Sequence, residues 1–405
     1  MKGWPRGTKN AILALVSVST ILVLSVVADR VAGRLLSTGP ASAVVELMYP
    51  PGLTSSFETI EFTYTVHINA LGLRDREFAV ARSQTYRVLA IGDSLTYGWG
   101  VEIEQTWPTQ LERNLREGGL DLEVLNLGRS GIAPSFYALL AERAIPLLKP
   151  DLVIVAVSQC DDVTVLNWRV YFRSTIHRLY PNLTRLWRGP APTRSPLRKA
   201  SAEQTRRATA QRARSHLDEA TDEQKARFHR LEPVVKDAFL RGELNAYKIR
   251  IGMRHPERYM AALDLTSSQV KTGSRFLAAY LGRIKHVADA HDAKVMVLTV
   301  PAGPYVNTHA FRGVQRIGYD MAAEALTSDA PDRAIFTACG KAGIRCFAVT
   351  DAFRERQDDP TLYYELDGHF TAAAHAFYGD LVTPIVMKQI RSAGSNAISP
   401  SGQGR

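Results

Sequence analysis

The sequence predicts an α/β fold in which a parallel sheet lies between two layers of helices. Apolar runs typical of strands alternate with helical segments before residue 165 and again after residue 294. The predicted strand at 151–157 is apolar from Leu152 onward, as expected of a central strand covered on both faces. Such alternation is typical of a parallel sheet with helices on both sides.

Local signals set the boundaries of these elements. Residues 62–68 alternate in the two-residue period of a strand and precede a turn at 69–77. Pro108 opens the first helix of the α/β region, and Lys149-Pro150 ends the second. The predicted elements are strands at 62–68, 86–91, 123–127, 151–157, 294–300 and 344–349, and helices near 107–118, 134–148 and 371–391.

A charge-rich, mostly helical insertion at about 165–290 interrupts this alternation. Proline and glycine at 189–196 predict a loop near its start, and residues 202–242 are predicted to be helical. Two roles stay open for the insertion. In the first, the insertion has a function, either as a cap over the site or as a contact to a partner. In the second, it is a surface elaboration without a role in chemistry.

The first residues of the chain are predicted to form a membrane anchor. Residues 11–28 carry no charge and are long enough to span a bilayer when slightly extended. Lys2, Arg6 and Lys9 precede this run and favour an amino terminus that stays in the cytoplasm. The alternative is a signal peptide cleaved before Asp29. Either interpretation places the bulk of the chain on the extracytoplasmic side of a cytoplasmic membrane.

Length and composition bound the domain organisation. With 405 residues and 45% hydrophobic content, the chain can bury a full core and a second small one. The predicted segments are an anchor with its juxtamembrane continuation at 1–37 and a linker with short strands at 38–85. An α/β domain with its insertion follows at 86–391, and a disordered tail at 392–405.

Positive charge is concentrated in one segment. The net charge is +10, and residues 185–214 carry nine basic residues against the single acid Glu203. One interpretation is a solvated helical surface. The other is electrostatic contact with anionic lipid head groups or an acidic glycan. Nucleic acid is not expected as a partner, because the segment has little aromatic interleaving and the compartment is extracytoplasmic.

Three cysteines fit an exported protein. Cys339 and Cys346 are placed to pair across a short turn between a helix and a strand in an oxidising compartment. The chain has no CxxC spacing and no phosphate-binding loop, so neither a metal nor another cofactor is expected.

Three distant residues have the chemistry of an activated serine. Ser94 follows the apolar strand at 86–91, and Asp367 and His369 stand close together far downstream. A serine hydroxyl becomes a useful nucleophile when an imidazole takes its proton and a carboxylate orients that imidazole. We therefore expect Ser94, His369 and Asp367 to act as nucleophile, base and orienting acid.

These residues lie in blocks that resemble the GDSL, or SGNH, hydrolase family, in its exported, membrane-anchored bacterial form. The first block is residues 91–101 with Gly92-Asp93-Ser94-Leu95, the second is 124–131, and the last is 367–375. The resemblance implies a three-layer α/β/α, flavodoxin-like fold. It also implies that the backbone amides of Ser94 and Gly131 stabilise the oxyanion.

The third block departs from the family. Where the family has an Asn that donates to the oxyanion, either Cys160 or Asp161 stands in this chain. A thiol is a weak donor, and an ionised carboxylate only accepts. Losing one oxyanion donor costs roughly 100- to 1000-fold in rate, so a slow or specialised enzyme is expected. Neighbouring carboxylates raise a thiol's pKa, so Cys160 is not expected to replace Ser94 as nucleophile.

The remaining candidates are given supporting roles. His375 is expected to be structural, and Asp93 to tighten the nucleophile turn. The predicted function is a serine esterase or deacetylase acting on an acylated lipid, polysaccharide or small molecule of the envelope or the extracellular space. Two alternatives stay open. One is an O-acyltransferase that modifies an envelope polysaccharide, and the other is a glycan- or lipid-binding scaffold without turnover.

Overall fold

A computed structural model describes residues 6–35, 39–82, 84–188 and 199–393. Within them, the strands follow the alternating and apolar runs of the sequence. Their bounds are β1 Thr54–Glu58, β2 Thr63–His67, β3 Tyr86–Ile91, β4 Leu122–Asn126, β5 Leu152–Ser158, β6 Lys199–Ala200, β7 Lys294–Val300 and β8 Arg345–Phe347. The last strand is shorter than the predicted 344–349.

The helices of the α/β region also begin where the sequence places their signals, with Pro108 and Pro134 in the first turns of α4 and α5. The helices are α1 Arg6–Leu35, α2 Pro40–Val45, α3 Ser94–Tyr97, α4 Trp107–Glu117, α5 Pro134–Leu148, α6 Trp168–Leu179, α7 Pro181–Arg188, α8 Ala202–Asp218, α9 Asp222–His229, α10 Pro233–Arg241, α11 Ala246–Arg254, α12 Arg258–Ala261, α13 Ser268–Asp289, α14 Gly303–Val306, α15 Thr308–Arg316, α16 Ala330–Ala342, α17 Thr350–Arg354 and α18 Ala372–Ala393; 3-10 turns span Ile103–Gln105 and Ala323–Leu326.

Five strands form the parallel sheet, in the order β4-β3-β5-β7-β8. Helices α4 and α18 pack on one face, and α5, α13 and α16 pack on the other. This confirms the three-layer, flavodoxin-like prediction. In such sheets ligands bind outside the carboxyl ends of the strands, where the strand order reverses. Here that point lies between the carboxyl ends of β3 and β5.

The insertion is shorter than predicted. Helix α13 falls inside the predicted range 165–290, but it packs against α5 and α16 as part of the sheet's outer layer. Its apolar face buries Phe276, Leu277 and Ile284 in the core. A helix that covers a parallel sheet belongs to the α/β alternation, so the insertion ends before Ser268.

The insertion is tied to the N-terminal strands. Strand β1 pairs with β2 antiparallel and with β6 parallel, which forms a second, three-stranded sheet. The hydroxyl of Thr205 in α8 donates a 2.6 Å hydrogen bond to the Ser56 carbonyl of β1. These contacts fix the start of α8 beside the linker strands. The loop predicted at 189–196 lies outside the described residues.

Residues Asn10–Arg34 of α1 contain an 18-residue window with a mean hydropathy of 2.6 and suffice in length and composition to cross a membrane, a property that signal sequences share. Near the end of this helix, Asp29 is fully buried and accepts hydrogen bonds from the backbone amides of Asn182 and Leu183 at 2.9 and 2.8 Å. Cys339 and Cys346, whose pairing the sequence left open, form a disulfide. The tail predicted at 392–405 lies outside the described residues from 394 onward.

Candidate active site

The turn after β3 presents Ser94 at the carboxyl edge of the sheet. A β-carbon on Gly92 would lie 2.1 Å from the Thr96 hydroxyl, so only glycine fits there. Asp93 caps α3 by accepting the Leu95 amide at 2.9 Å. This confirms the structural role predicted for Asp93, and it leaves Ser94 as the first residue of the short helix.

The structure brings the three distant residues together. The Ser94 hydroxyl oxygen lies 2.7 Å from His369 Nε2, across 275 residues of sequence. His369 Nδ1 contacts Asp367 Oδ1 on its other side. Asp367 is 3% exposed, and the His369 side chain is 11% exposed. The hydroxyl, imidazole and carboxylate thus form one continuous chain, from the cleft into the protein.

Two further side chains hold the carboxylate. Trp99 Nε1 and Asn245 Nδ2 donate to Asp367 Oδ2 at 3.3 and 3.2 Å. Burial alone would raise the pKa of Asp367, but the adjacent His369, with Lys248 and the Asn245 hydrogen bond, lowers this pKa to about 2. Asp367 therefore stays ionised. An ionised carboxylate is the form that orients an imidazole.

Glu61 positions the segment that carries this carboxylate. Its two carboxyl oxygens each accept one backbone amide, from Leu366 and Asp367, both at 2.8 Å. Burial raises the pKa of Glu61 to about 7, and the nearby Asp367 charge adds to that rise. Gly368 then adopts φ +72°, a left-handed conformation that favours glycine. Glu61 follows β1, so the linker strands fix the downstream part of the site.

An aromatic cluster supports Trp99 from behind. Phe57, Phe62 and Tyr64 surround the indole with ring centroids 5.6, 6.5 and 5.9 Å away. These rings come from the linker hairpin, which the sequence predicts only as short strands. The hairpin therefore positions the indole that donates to Asp367.

A cavity of about 650 Å³ opens above Ser94. The ends of β4, β5 and β7 contribute to its wall. The segment after β7, at 302–304, lies at the carboxyl edge of the sheet, where ligands bind to open α/β sheets. Other lining residues are Trp99, Ser130, Gly131, Cys160, Asp161, Arg212, Asn245, Tyr247, Lys248, Arg258, Tyr259 and His369.

The predicted oxyanion positions Ser94, Gly131 and Cys160 all line this cavity. Gly131 adopts φ +75°, and Cys160 stands at the end of the segment after β5. Burial raises the pKa of the Cys160 thiol well above its usual range, and Asp161 raises it further. A neutral thiol is a poor nucleophile, which agrees with Ser94 as the reactive group.

The insertion changes the chemistry of the third block. Arg258 of α12 donates from Nε to Asp161 Oδ1 at 2.7 Å, with a second guanidinium nitrogen 2.6 Å from that oxygen. The Asp161 charge that would repel an oxyanion is thereby neutralised. Arg258 has no signal in the local sequence, because its partner lies 97 residues upstream.

His375 and Asp351 lie outside the cavity. His375 is buried, and its Nδ1 accepts the Trp107 amide at 3.2 Å. Burial lowers the pKa of His375 to about 3, so the ring stays neutral, as a structural histidine does. The Asp351 side chain is 95% exposed and contacts Arg354.

Sequence reasoning missed several residues that contact the triad or the cavity. Trp99 carried a signal, because it stands in the first block five residues after Ser94. Glu61, Asn245 and Lys248 carried none, because each reaches the site from a different segment of the chain.

Residues 90–257 match the model of the GDSL-like lipase/acylhydrolase family. The matched range includes Ser94, Gly131 and Cys160 and ends before Asp367 and His369. No curated protein matches the chain.

Solved structures similar to this chain include three ester hydrolases. The acetyl xylan esterase AlAXEase is 11% identical, with a TM-score of 0.37 and coverage of 74% of this chain and 99% of that one. The psychrotrophic esterase EstA from Pseudoalteromonas sp. is 9% identical, with a TM-score of 0.36 and coverage of 75% of this chain and 98% of that one. The lipase/acylhydrolase from Enterococcus faecalis is 12% identical, with a TM-score of 0.36 and coverage of 75% of this chain and 96% of that one.

Proposed function

We propose that this chain, whose residues 90–257 match the GDSL-like lipase/acylhydrolase family model, is a serine ester hydrolase in which Ser94 forms the acyl-enzyme. The observation that carries this proposal is the 2.7 Å contact between the Ser94 hydroxyl oxygen and His369 Nε2. That distance lies within the reach a general base needs for proton transfer. Asp367 holds the opposite ring nitrogen, which selects the tautomer with Nε2 free to accept.

The reaction has two steps, acylation of Ser94 and hydrolysis of the acyl-enzyme. Ser94 Oγ attacks the ester carbonyl carbon while its proton passes to His369, and the tetrahedral intermediate collapses as His369 returns the proton to the leaving alcohol. Water then attacks the acyl-enzyme carbonyl, again losing a proton to His369. The carboxylic acid leaves, and the Ser94 hydroxyl is restored.

We assign the oxyanion to the backbone amides of Ser94 and Gly131. In place of the family's Asn, this chain supplies the Cys160 thiol and a neutralised Asp161–Arg258 pair. Neither replaces an amide donor well. The enzyme is therefore expected to be slower than relatives that keep the Asn, by up to the roughly 100- to 1000-fold that one donor contributes.

The substrate class follows from the location we propose. The apolar helix α1 anchors the domain in the cytoplasmic membrane, with the site on the extracytoplasmic side. The hydrogen bonds of Asp29 to α7 support a retained anchor, because they join the end of that helix to the insertion. Acylated polysaccharides, lipids and small molecules of the envelope are the esters within reach there.

An O-acyltransferase is the second candidate. A second cavity of about 350 Å³ adjoins the first, and the two share Trp99, Arg212, Asn245 and Tyr247. An acceptor hydroxyl bound there has a route to the acyl-enzyme. Water and a sugar hydroxyl use the same acyl-enzyme, so only the acceptor separates the two reactions.

Ester hydrolysis by the full-length protein in detergent tests the proposal. Wild type is expected to release 4-nitrophenol from 4-nitrophenyl acetate, and Ser94→Ala to reduce this to the uncatalysed rate. Acceleration of acetyl release by added saccharide, with acetylated sugar as product, would favour the transferase. Tight glycan or lipid binding without turnover by wild type would contradict the proposal and favour the scaffold.

A further inference from the structure

The insertion places three cationic side chains in the wall of the catalytic cavity. They are Arg212 from α8, Lys248 from α11 and Arg258 from α12. Among the described residues, no other lysine or arginine lines this cavity. The insertion is therefore the part of the fold that determines the charge of this cleft.

Only one of the three cations is paired. Arg258 is neutralised by Asp161 at 2.6 Å. Lys248 has its ammonium 3.5 Å from the Tyr259 hydroxyl and, among the described residues, forms no ion pair. Within the same part of the chain, Arg212 forms neither an ion pair nor a hydrogen bond, and it is exposed to the cavity. Two positive charges are thus left for a ligand.

Lys248 stands close to the reacting groups. A β-carbon built on Gly368, between Asp367 and His369, would lie 3.4 Å from Lys248 Nζ. The acidic groups that face Lys248 are Asp93 and Asp367. Asp93 caps α3, and Asp367 is held by His369, Trp99 and Asn245. Neither carboxylate is within ion-pair distance of the ammonium, so its charge is directed at the cavity.

The positive charge continues into the second cavity. Arg206 and Arg250 line it together with Arg212, and Glu58 is the acid in its wall. Arg206 is 3.8 Å from Glu243, whereas the buried Arg250 Nε has no hydrogen-bond partner among the described residues. The path from Ser94 into the second cavity is therefore bordered by cations.

We propose that this cleft selects esters that carry a carboxylate or phosphate near the scissile bond, with Lys248 and Arg212 binding that anion. The inference rests on the proposed esterase function and names its substrate class. Cations that have no protein partner inside a cleft form charge-assisted hydrogen bonds to such groups, which are stronger than neutral ones. Within the basic segment 185–214, this assigns Arg212 to substrate recognition.

Matched acetyl esters test the inference with the full-length protein in detergent. The neutral probe is 4-acetoxybenzamide, the carboxylate probe is 4-acetoxybenzoate, and 4-acetoxyphenyl phosphate is the phosphate probe. Wild type is expected to have a kcat/KM at least about tenfold higher for one or both anionic probes than for the neutral one. The preference should fall as ionic strength rises, since salt screens the attraction.

Substitutions test which side chains produce the preference for the anionic probes. Lys248→Met should lower kcat/KM for the anionic probes, through KM, by about 10- to 100-fold more than for the neutral probe. Arg212→Gln should show the same pattern with a smaller loss of roughly two- to tenfold, because it is exposed. Lys248→Arg should keep most of the preference. Arg214→Gln, on the same helix but outside both cavities, serves as the control and should leave it unchanged.

Three results would overturn the inference. The first is a wild type without preference for either anionic probe. The second is Lys248→Met slowing all three probes equally, which would assign Lys248 to the oxyanion or to folding. The third is a loss of preference in Arg214→Gln equal to that in Arg212→Gln, which would indicate that the overall positive charge of the helix, and not a contact with Arg212, attracts the anion. In each case neutral hydrolysis that depends on Ser94 would leave the esterase function standing.

Discussion

The hydroxyl oxygen of Ser94 and Nε2 of His369 lie 2.7 Å apart, although 275 residues separate them in the chain. The strand that ends before Ser94 lies inside the sheet, between β4 and β5. The turn that carries His369 packs above its carboxyl edge. Their meeting is a property of the whole domain, and the predictions below test the groups that maintain it.

Asp367→Asn is expected to lower kcat for 4-nitrophenyl acetate by roughly 10³- to 10⁴-fold, because an amide at this position favours the wrong imidazole tautomer. Steady-state kinetics of the purified protein measures the change. Asp351→Asn is the matched control, since that carboxylate is 95% exposed and outside the cavity. Equal effects of the two substitutions would remove Asp367 from the proposed triad.

Arg258→Met is expected to slow neutral ester hydrolysis by roughly 10- to 100-fold. The substitution leaves the Asp161 carboxylate unpaired beside the developing oxyanion. The double variant Asp161→Ala, Arg258→Met removes both charges without adding an amide donor and should recover kcat to within about threefold of wild type.

Arg254→Met is the control for Arg258, since Arg254 contacts Glu219 at 3.6 Å and does not line the cavity. A double variant as slow as Arg258→Met would show that the arginine acts by some means other than neutralising Asp161.

Glu61 is expected to make stability depend on pH. Burial raises its pKa from 4.5 to about 7, so the folded protein favours the neutral carboxyl. The stabilising contribution is fully present below pH 4.5 and is lost as the pH rises through about 7. Relative to Glu61→Gln, the free energy of unfolding of wild type should fall by up to about 3 kcal/mol across this window.

Urea unfolding of both proteins at several pH values measures the difference. Glu104→Gln, at an exposed position, should follow wild type at every pH. If the free energy of unfolding changed with pH in the same way in wild type and in Glu61→Gln, Glu61 would not be the source of the pH dependence.

The apolar helix α1 is expected to remain on the mature protein. Asp29 and Asn182 join its end to the insertion, and cleavage before Asp29 would leave that junction without its helix. Amino-terminal sequencing of protein from the membrane fraction, which should resist alkaline carbonate extraction, measures this. A mature amino terminus at Asp29 would instead identify residues 1–28 as a signal peptide.

The sequence was sufficient for those parts of the fold and site that rest on local patterns. Strand periodicity and prolines placed β3, α4 and α5, and Ser94 follows directly from the end of β3. The role of Asp93 also followed, because capping depends on a neighbour two residues away. Local signals of this kind need no knowledge of tertiary packing.

Contacts between distant segments were beyond that reasoning. Glu61, Asn245 and Arg258 reach the site from the linker and the insertion, and none carries a pattern that distinguishes it from a surface residue. The boundary at α13 was misplaced for a similar reason. A charged amphipathic helix has the same sequence pattern whether it covers a sheet or an insertion, and only packing shows that α13 belongs to the sheet.

Covalent labelling by a fluorophosphonate probe tests the central claim most directly, because it reports an activated serine without requiring the natural substrate. The full-length wild type and Cys160→Ala should be labelled to the same extent, with the adduct on the peptide that contains Ser94. Ser94→Ala should not be labelled, and His369→Ala should be labelled at least about 100-fold more slowly. A wild type that the probe leaves unmodified, or one labelled equally well without the imidazole of His369, would contradict the account.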